Sequence, residues 1–132
     1  MDIDRYYRRL GIDRPSPDAD GLRIIQSAQM DAVTFENIDP LLGIVPDVSL
    51  EGIFDKIVER GRGGYCFELN TLFGAALKET GFDARRVMAR VRNGAPQGAN
   101  RSHLAWIVTI GGEEWLGDTG FSEWIRFTPG AI

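Results

Sequence analysis

Between Gly81 and Ala84 the apolar residues change from the spacing of a helix to the spacing of a strand, and no all-helical or all-strand fold accommodates both. Upstream, Leu50, Ile53, Phe54, Ile57 and Val58 form one stripe between Ser49 and Gly61. Leu69, Leu72, Phe73, Ala76 and Leu77 repeat that stripe over residues 66–81. Two apolar-faced helices joined by a short loop pack on each other. Downstream, Val87, Ala89 and Val91 alternate with Met88, Arg90 and Arg92, as in a strand with one buried face. Residues 102–110 predict a second strand, Gly111-Gly112 a hairpin loop, and residues 113–118 the returning strand. The expected fold is therefore α+β, with a small helical bundle over residues 1–82 and the beginning of an antiparallel sheet or barrel over 83–132.

The remaining elements are shorter. Asp2 or Asp4 caps a first helix running through Arg9 and ended by Gly11, with Tyr6 and Tyr7 packed inside. Ser16-Pro17-Asp18 predicts a second helix, with Ser16 as cap and Pro17 in the first helical position, carrying Leu22, Ile25 and Gln29 along one side to about Met30. Residues 35–43 mix apolar groups with turn formers and read as a compact connection that contains Glu36. Residues 93–101 are a loop by composition, and 127–132 provide no closing element.

A net charge of −4 argues against a nucleic-acid partner, because phosphate binding draws on a surplus of Lys and Arg. No run of the sequence has the length and apolarity of a membrane span, and the first residues lack a signal-peptide core. The single cysteine cannot form an intrachain disulfide, so cytoplasm is the expected compartment. Arg85, Arg86, Arg90 and Arg92 read as the solvated face of their strand.

That cysteine, Cys66, follows Arg62-Gly63-Gly64-Tyr65 at the start of a helix. A thiolate there gains from unpaired backbone N–H groups and the positive end of the helix dipole. The sequence holds one histidine, His103. If Gly111-Gly112 is a two-residue loop, Ile110 pairs with Glu113, and counting back sets Ala105 opposite Asp118. Asp118 then becomes the diagonal neighbour of His103 at about 7–8 Å, within reach of a carboxylate–imidazole hydrogen bond. Thiolate, imidazole and carboxylate are the parts of a nucleophile, its base and the group that orients the base. Each also has a plainer use, as a small buried hydrophobe, a satisfied core group and a turn residue. Zinc could use the same side chains, but no second Cys or His provides familiar metal spacing.

At these residues the chain resembles the N-terminal part of the arylamine N-acetyltransferases. Arg62-Gly63-Gly64-Tyr65-Cys66-Phe67-Glu68 is similar to the cysteine motif of that family, Ser102-His103-Leu104 to its histidine motif, and Gly117-Asp118-Thr119-Gly120-Phe121 to its aspartate motif, in the same order. Phe35-Glu36-Asn37 and residues 6–11 resemble two further segments. Thr119 and Ser122 depart from the usual aspartate motif, and Thr34 stands where proline is common.

The resemblance implies a cysteine-proteinase-like arrangement with Cys66, His103 and Asp118 as a triad. It implies ping-pong transfer of acetyl from acetyl-CoA to an aromatic amine or hydrazine, with release of coenzyme A and no metal. It further implies a Glu36–Arg62 ion pair beside the cysteine, with Arg9 adjoining, and makes Phe121 a candidate for the substrate pocket. Family members continue into a completed barrel and a C-terminal lid, so this chain is expected to be a fragment or a short form. Trp106, Val108, Ile110, Trp115 and Trp124 then include apolar groups in want of a covering layer, and self-association through the unfinished sheet is expected. A thiol hydrolase of transglutaminase type and a non-catalytic oligomerisation module are the rival readings.

Overall fold

The computed structural model describes residues 1–91 and 102–121. At its centre is helix α5, Cys66–Thr80, whose buried Leu69, Leu72, Phe73, Ala76 and Leu77 form the stripe expected from their spacing. Gly81 ends it in the left-handed conformation at φ 110°. Around α5 lie α1 (Ile3–Leu10), α2 (Ala19–Ala32), the single turn α3 (Ile38–Leu41) and α4 (Leu50–Phe54). Strands β1 (Asp83–Ala89), β2 (His103–Ile110) and β3 (Glu113–Gly117) make an antiparallel sheet in that order, so the architecture is α+β.

Helix and sheet share a core in which Tyr6, Leu22, Ile25, Ile53, Ile57 and Phe73 are fully buried beside Trp106 and Val108. Ile110 and Trp115 pack against the same cluster, so much of the sheet face expected to lack cover is covered by this chain's own helices. Burial of each large side chain contributes roughly 1.5–3 kcal/mol. The hydroxyls of its two tyrosines are paired: the Tyr6 hydroxyl donates to Gln29 Oε1 at 2.7 Å, and Tyr7 bonds Thr80.

Three expectations are corrected. The cap of α2 is Asp18, whose carboxylate accepts from Gly21 N–H at 2.8 Å, so Ser16 and Pro17 lie before the helix; an aspartate nearer the apolar run outcompetes the serine. The helix after Ser49 does not stay α-helical to Gly61, because Asp55–Glu59 forms a π-helical turn that buries Lys56 beside Ile57 while Leu50 stays exposed. Strand β1 ends at Ala89, and its Val87 is only half-buried, because alternation cannot say what covers the inward face. Arg85, Arg86 and Arg90 are exposed. Arg92, the 93–101 loop, Ser122, Trp124 and residues 127–132 lie outside the described residues.

The loop before α5 is strapped to the segment before α3. Gly64 N–H donates to Thr34 O at 3.2 Å and Glu36 N–H to Gly64 O at 2.9 Å, a parallel bridge between Phe35 and Gly64. A Cβ on Gly63 would overlap the Thr34 carbonyl oxygen and lie 2.9 Å from Glu36 Cγ. Gly63→Ala is accordingly expected to cost about 2–3 kcal/mol by forcing the strap apart, as read by urea denaturation. An unchanged midpoint would show that the strap yields freely.

Candidate active site

Tyr65 is the N-cap of α5 in an extended conformation, and Cys66 is the first residue of the helix. The Glu68 carboxylate reaches back one turn and accepts the Tyr65 N–H at 3.1 Å, which fixes the start of the helix. Cys66 is a free, half-buried thiol with its sulfur 4.0 Å from Ser102 O, at the entrance to β2.

Gly111 and Gly112 take φ values of 60° and 85°, as a two-residue primed turn requires, and Ile110 pairs with Glu113. The register continues to Trp106 opposite Gly117, which brings Asp118 beside Ala105 as the count predicts. His103 Nε2 and Asp118 Oδ2 meet at 2.6 Å, with both residues buried.

The carboxylate is held from both sides. Asp118 Oδ1 accepts from Asn70 Nδ2 at 2.8 Å and from Gly120 N–H at 2.9 Å, and the Asp118 N–H donates to Gln26 Oε1 at 2.9 Å. Asn70 lies one turn after Cys66, on the same side of α5. It also donates to Leu104 O at 2.6 Å and accepts from Thr119 N–H at 2.9 Å. Gly120 closes over the thiol so tightly that a Cβ there would lie 2.8 Å from Cys66 Cα. Sheet and helix are thereby locked together at the three residues.

Among the other expected residues, Arg62 Nη2 pairs with Glu36 at 2.9 Å and also with Asp39 at 2.8 Å. Arg9 donates to backbone carbonyls, Ile57 O at 3.1 Å and Gly61 O at 3.5 Å, the latter next to Arg62 in the chain leading into the glycine loop. Phe121 sets its ring edge-on to His103, with centroids 5.4 Å apart, and borders a cavity of about 190 Å³ with Val33, Phe35, Leu69 and Thr119. Trp106 is buried, donating to Asn70 O at 2.6 Å, and Phe67 lies against Tyr65. No group of three or more metal-ligating side chains occurs among the described residues, and no helix there is long and apolar enough to cross a membrane.

Sequence reasoning missed Asn70, Gln26, Lys56 and Asp39. The available signal was a polar residue on an apolar helix stripe: Gln26 next to Ile25, Lys56 next to Ile57, and Asn70 next to Leu69. Their partners are distant in sequence, 92 residues away for Gln26 with Asp118, so local patterns do not reveal them.

The Asp118 hydrogen bond, and after it the bond to Cys66, hold the His103 imidazole protonated up to about 9 against the pull of burial. The folded value lies above the ordinary 6.5, so this stabilisation is complete below about pH 6.5 and disappears as pH rises through 9. It is worth on the order of 3 kcal/mol. The melting temperature is expected to fall over that window in the wild-type chain and to fall less in His103→Gln. Parallel pH profiles for the two proteins would refute the coupling.

The N-acetyltransferase family profile matches residues 18–129. An arylamine N-acetyltransferase of Mycolicibacterium smegmatis is 42% identical over 128 residues, covering 92% of this chain and 46% of that protein. Among solved structures, the arylamine N-acetyltransferase from Salmonella typhimurium superposes with a TM-score of 0.92 at 32% identity, over 98% of this chain and 48% of that one. The Mycobacterium marinum arylamine N-acetyltransferase in complex with CoA gives a TM-score of 0.81 at 40% identity, over 90% of this chain and 46% of that one. The chain thus spans about half the length of the curated relatives it matches. A family match over most of its residues, on this fold, makes the chain a member of the arylamine N-acetyltransferase family.

Proposed function

We propose that the chain carries the acetyl-accepting centre of an acetyl-CoA-dependent arylamine N-acetyltransferase. In this reading Cys66 is the nucleophile, His103 its proton acceptor and donor, and Asp118 the carboxylate that orients the ring. The observation that carries the reading is the buried 2.6 Å His103–Asp118 contact beside a thiol at a helix start, in a chain of this family. An imidazole that stays protonated to about 9 supplies positive charge beside the Cys66 sulfur, the arrangement in which a base activates a thiol nucleophile.

In the first half-reaction the Cys66 thiolate attacks the acetyl carbonyl of acetyl-CoA. The thioester C–S bond breaks, and the departing coenzyme A sulfur takes the proton of the His103 imidazolium. In the second half an arylamine or arylhydrazine nitrogen attacks the acetyl-Cys66 carbonyl and gives its proton to the now neutral His103. Cys66 leaves as thiolate and the starting state returns. Coenzyme A as carrier is supported by the relative solved with CoA, and the reduced cytoplasm suits a free thiol. Arg62, Glu36 and Arg9 brace the loop that presents Cys66, and Phe121 is our candidate for contact with the aromatic acceptor. No metal enters the scheme.

The test follows the protein's mass after incubation with acetyl-CoA or an activated acetyl ester. One acetyl group is expected on the wild-type chain, none on Cys66→Ala, and its discharge should require an aromatic amine. Discharge by water alone would favour the hydrolase, and no adduct from either donor would reject acyl transfer by this chain.

A further inference from the structure

Lys56 is 6% exposed, in the π-helical turn Asp55–Glu59, and three carboxylates surround its ammonium. Nζ lies 2.8 Å from Glu68 Oε1, 2.9 Å from Asp39 Oδ2 and 3.7 Å from Glu36 Oε1. Arg62 shares Glu36 and Asp39, so the cluster holds three acids against two cations. Burial pulls the Lys56 ammonium toward neutrality, but the hydrogen bonds it donates to Glu68 and Asp39 outweigh that and keep its pKa above the ordinary lysine value.

Glu68 is the member that matters for the thiol. It is 1% exposed, it sits in the first turn of α5 two residues after Cys66, and its two oxygens are divided: Oε1 to Lys56, Oε2 to the Tyr65 N–H. Without the ammonium, this buried carboxylate would stand uncompensated at the helix start. It would oppose negative charge on the adjacent sulfur, and it would be drawn toward water and away from the Tyr65 amide.

We propose that Lys56 is a positioning residue for Cys66, its ammonium seating Glu68 on the Tyr65 amide and cancelling that carboxylate's charge beside the thiol. The charged groups about Cys66 are then His103 from β2, with Asp118 behind it, and, in the first turn of its own helix, Glu68 on the neighbouring Tyr65 amide with Lys56 behind it. The two pairs act in the same sense. One supplies positive charge to the sulfur, and the other removes negative charge from its neighbourhood.

This inference rests on Cys66 as the nucleophile but can be tested without acetyl transfer, by the rate of iodoacetamide alkylation at pH 6 and pH 9 on the folded chain. Relative to wild type, Lys56→Met is expected to lower the ratio of the pH 6 rate to the pH 9 rate about tenfold, the scale of one uncompensated charge at short range. The double variant Lys56→Met/Glu68→Gln, whose glutamine still accepts the Tyr65 N–H, is expected to return the ratio to within about threefold of wild type. An unchanged ratio in folded Lys56→Met would overturn the proposal. So would a double variant that stays as impaired as the single one, since the effect would then not run through Glu68. Should Lys56→Met fail to fold, Lys56→Gln is read by the same criteria. A wild-type chain that alkylates as expected yet forms no acetyl adduct would reject the acyl-transfer reading while leaving this comparison intact.

Discussion

Asp118→Asn should slow acetylation of Cys66 by about 10³–10⁴-fold while leaving the fold in place, the loss seen when a triad carboxylate becomes an amide. The reason lies in how the two oxygens are used. Oδ1 accepts two donors, Asn70 Nδ2 and Gly120 N–H, so the amide oxygen of an asparagine must take that side. The NH₂ then faces His103 Nε2 at the 2.6 Å position now occupied by Oδ2. A donor there requires an unprotonated Nε2, which sends the ring's one proton to the other nitrogen and removes the imidazolium. Stopped-flow acetylation with an activated ester measures the loss, and NMR titration of the single histidine should show its pKa falling from about 9 to below the ordinary value. A variant that retained the wild-type rate would mean that Asp118 is a turn residue and no part of the chemistry.

Asn70→Ala is expected to destabilise the chain by roughly 3–5 kcal/mol, a large share of a small domain's stability. The side chain is fully buried and ties two segments to α5: Leu104 in β2, and Asp118 and Thr119 just after β3. Truncation strands the Leu104 carbonyl and the Thr119 N–H inside the protein, each at about 1–3 kcal/mol, and removes a donor from Asp118. Urea denaturation followed by tryptophan fluorescence provides the number. Asn70→Asp is the sharper control, because it keeps the shape and sets a second carboxylate 2.8 Å from Asp118 Oδ1. Its stability should improve as the pH is lowered and the pair shares a proton. A loss below about 1 kcal/mol for Asn70→Ala would show that water replaces the amide without strain.

What could be read in advance were features set by near neighbours. The Gly111-Gly112 turn fixes the hairpin register, and the register alone brings His103 to Asp118, 15 residues apart. The Cys66 helix follows from its apolar spacing and from Gly81. The features that escaped are those chosen by tertiary contact. Lys56 has little in the sequence around it to mark its burial, which comes from the π-helical turn and from three acids brought to it by the fold. Asp18 and Ser16 are both good caps, and the choice between them depends on where the α2 core face begins. Nothing near Arg9 in sequence marks its partners either, the carbonyls of Ile57 and Gly61 some fifty residues on.

The bond from Asp118 N–H to Gln26 Oε1 spans 92 residues, and it has a consequence for biosynthesis. Thr80, the last residue of the Cys66 helix, is made 38 residues before Asp118 (118 − 80), so at about 5–20 residues per second that helix is complete roughly 2–8 s before the hairpin that brings His103 and Asp118 together. During that interval the thiol has neither imidazole nor carboxylate beside it. Gln26 and Asn70 are already in place by then, and they present the acceptor and donors onto which the late-arriving hairpin docks. The imidazole and the carboxylate thus reach Cys66 only when the sheet docks against the helix that carries the thiol.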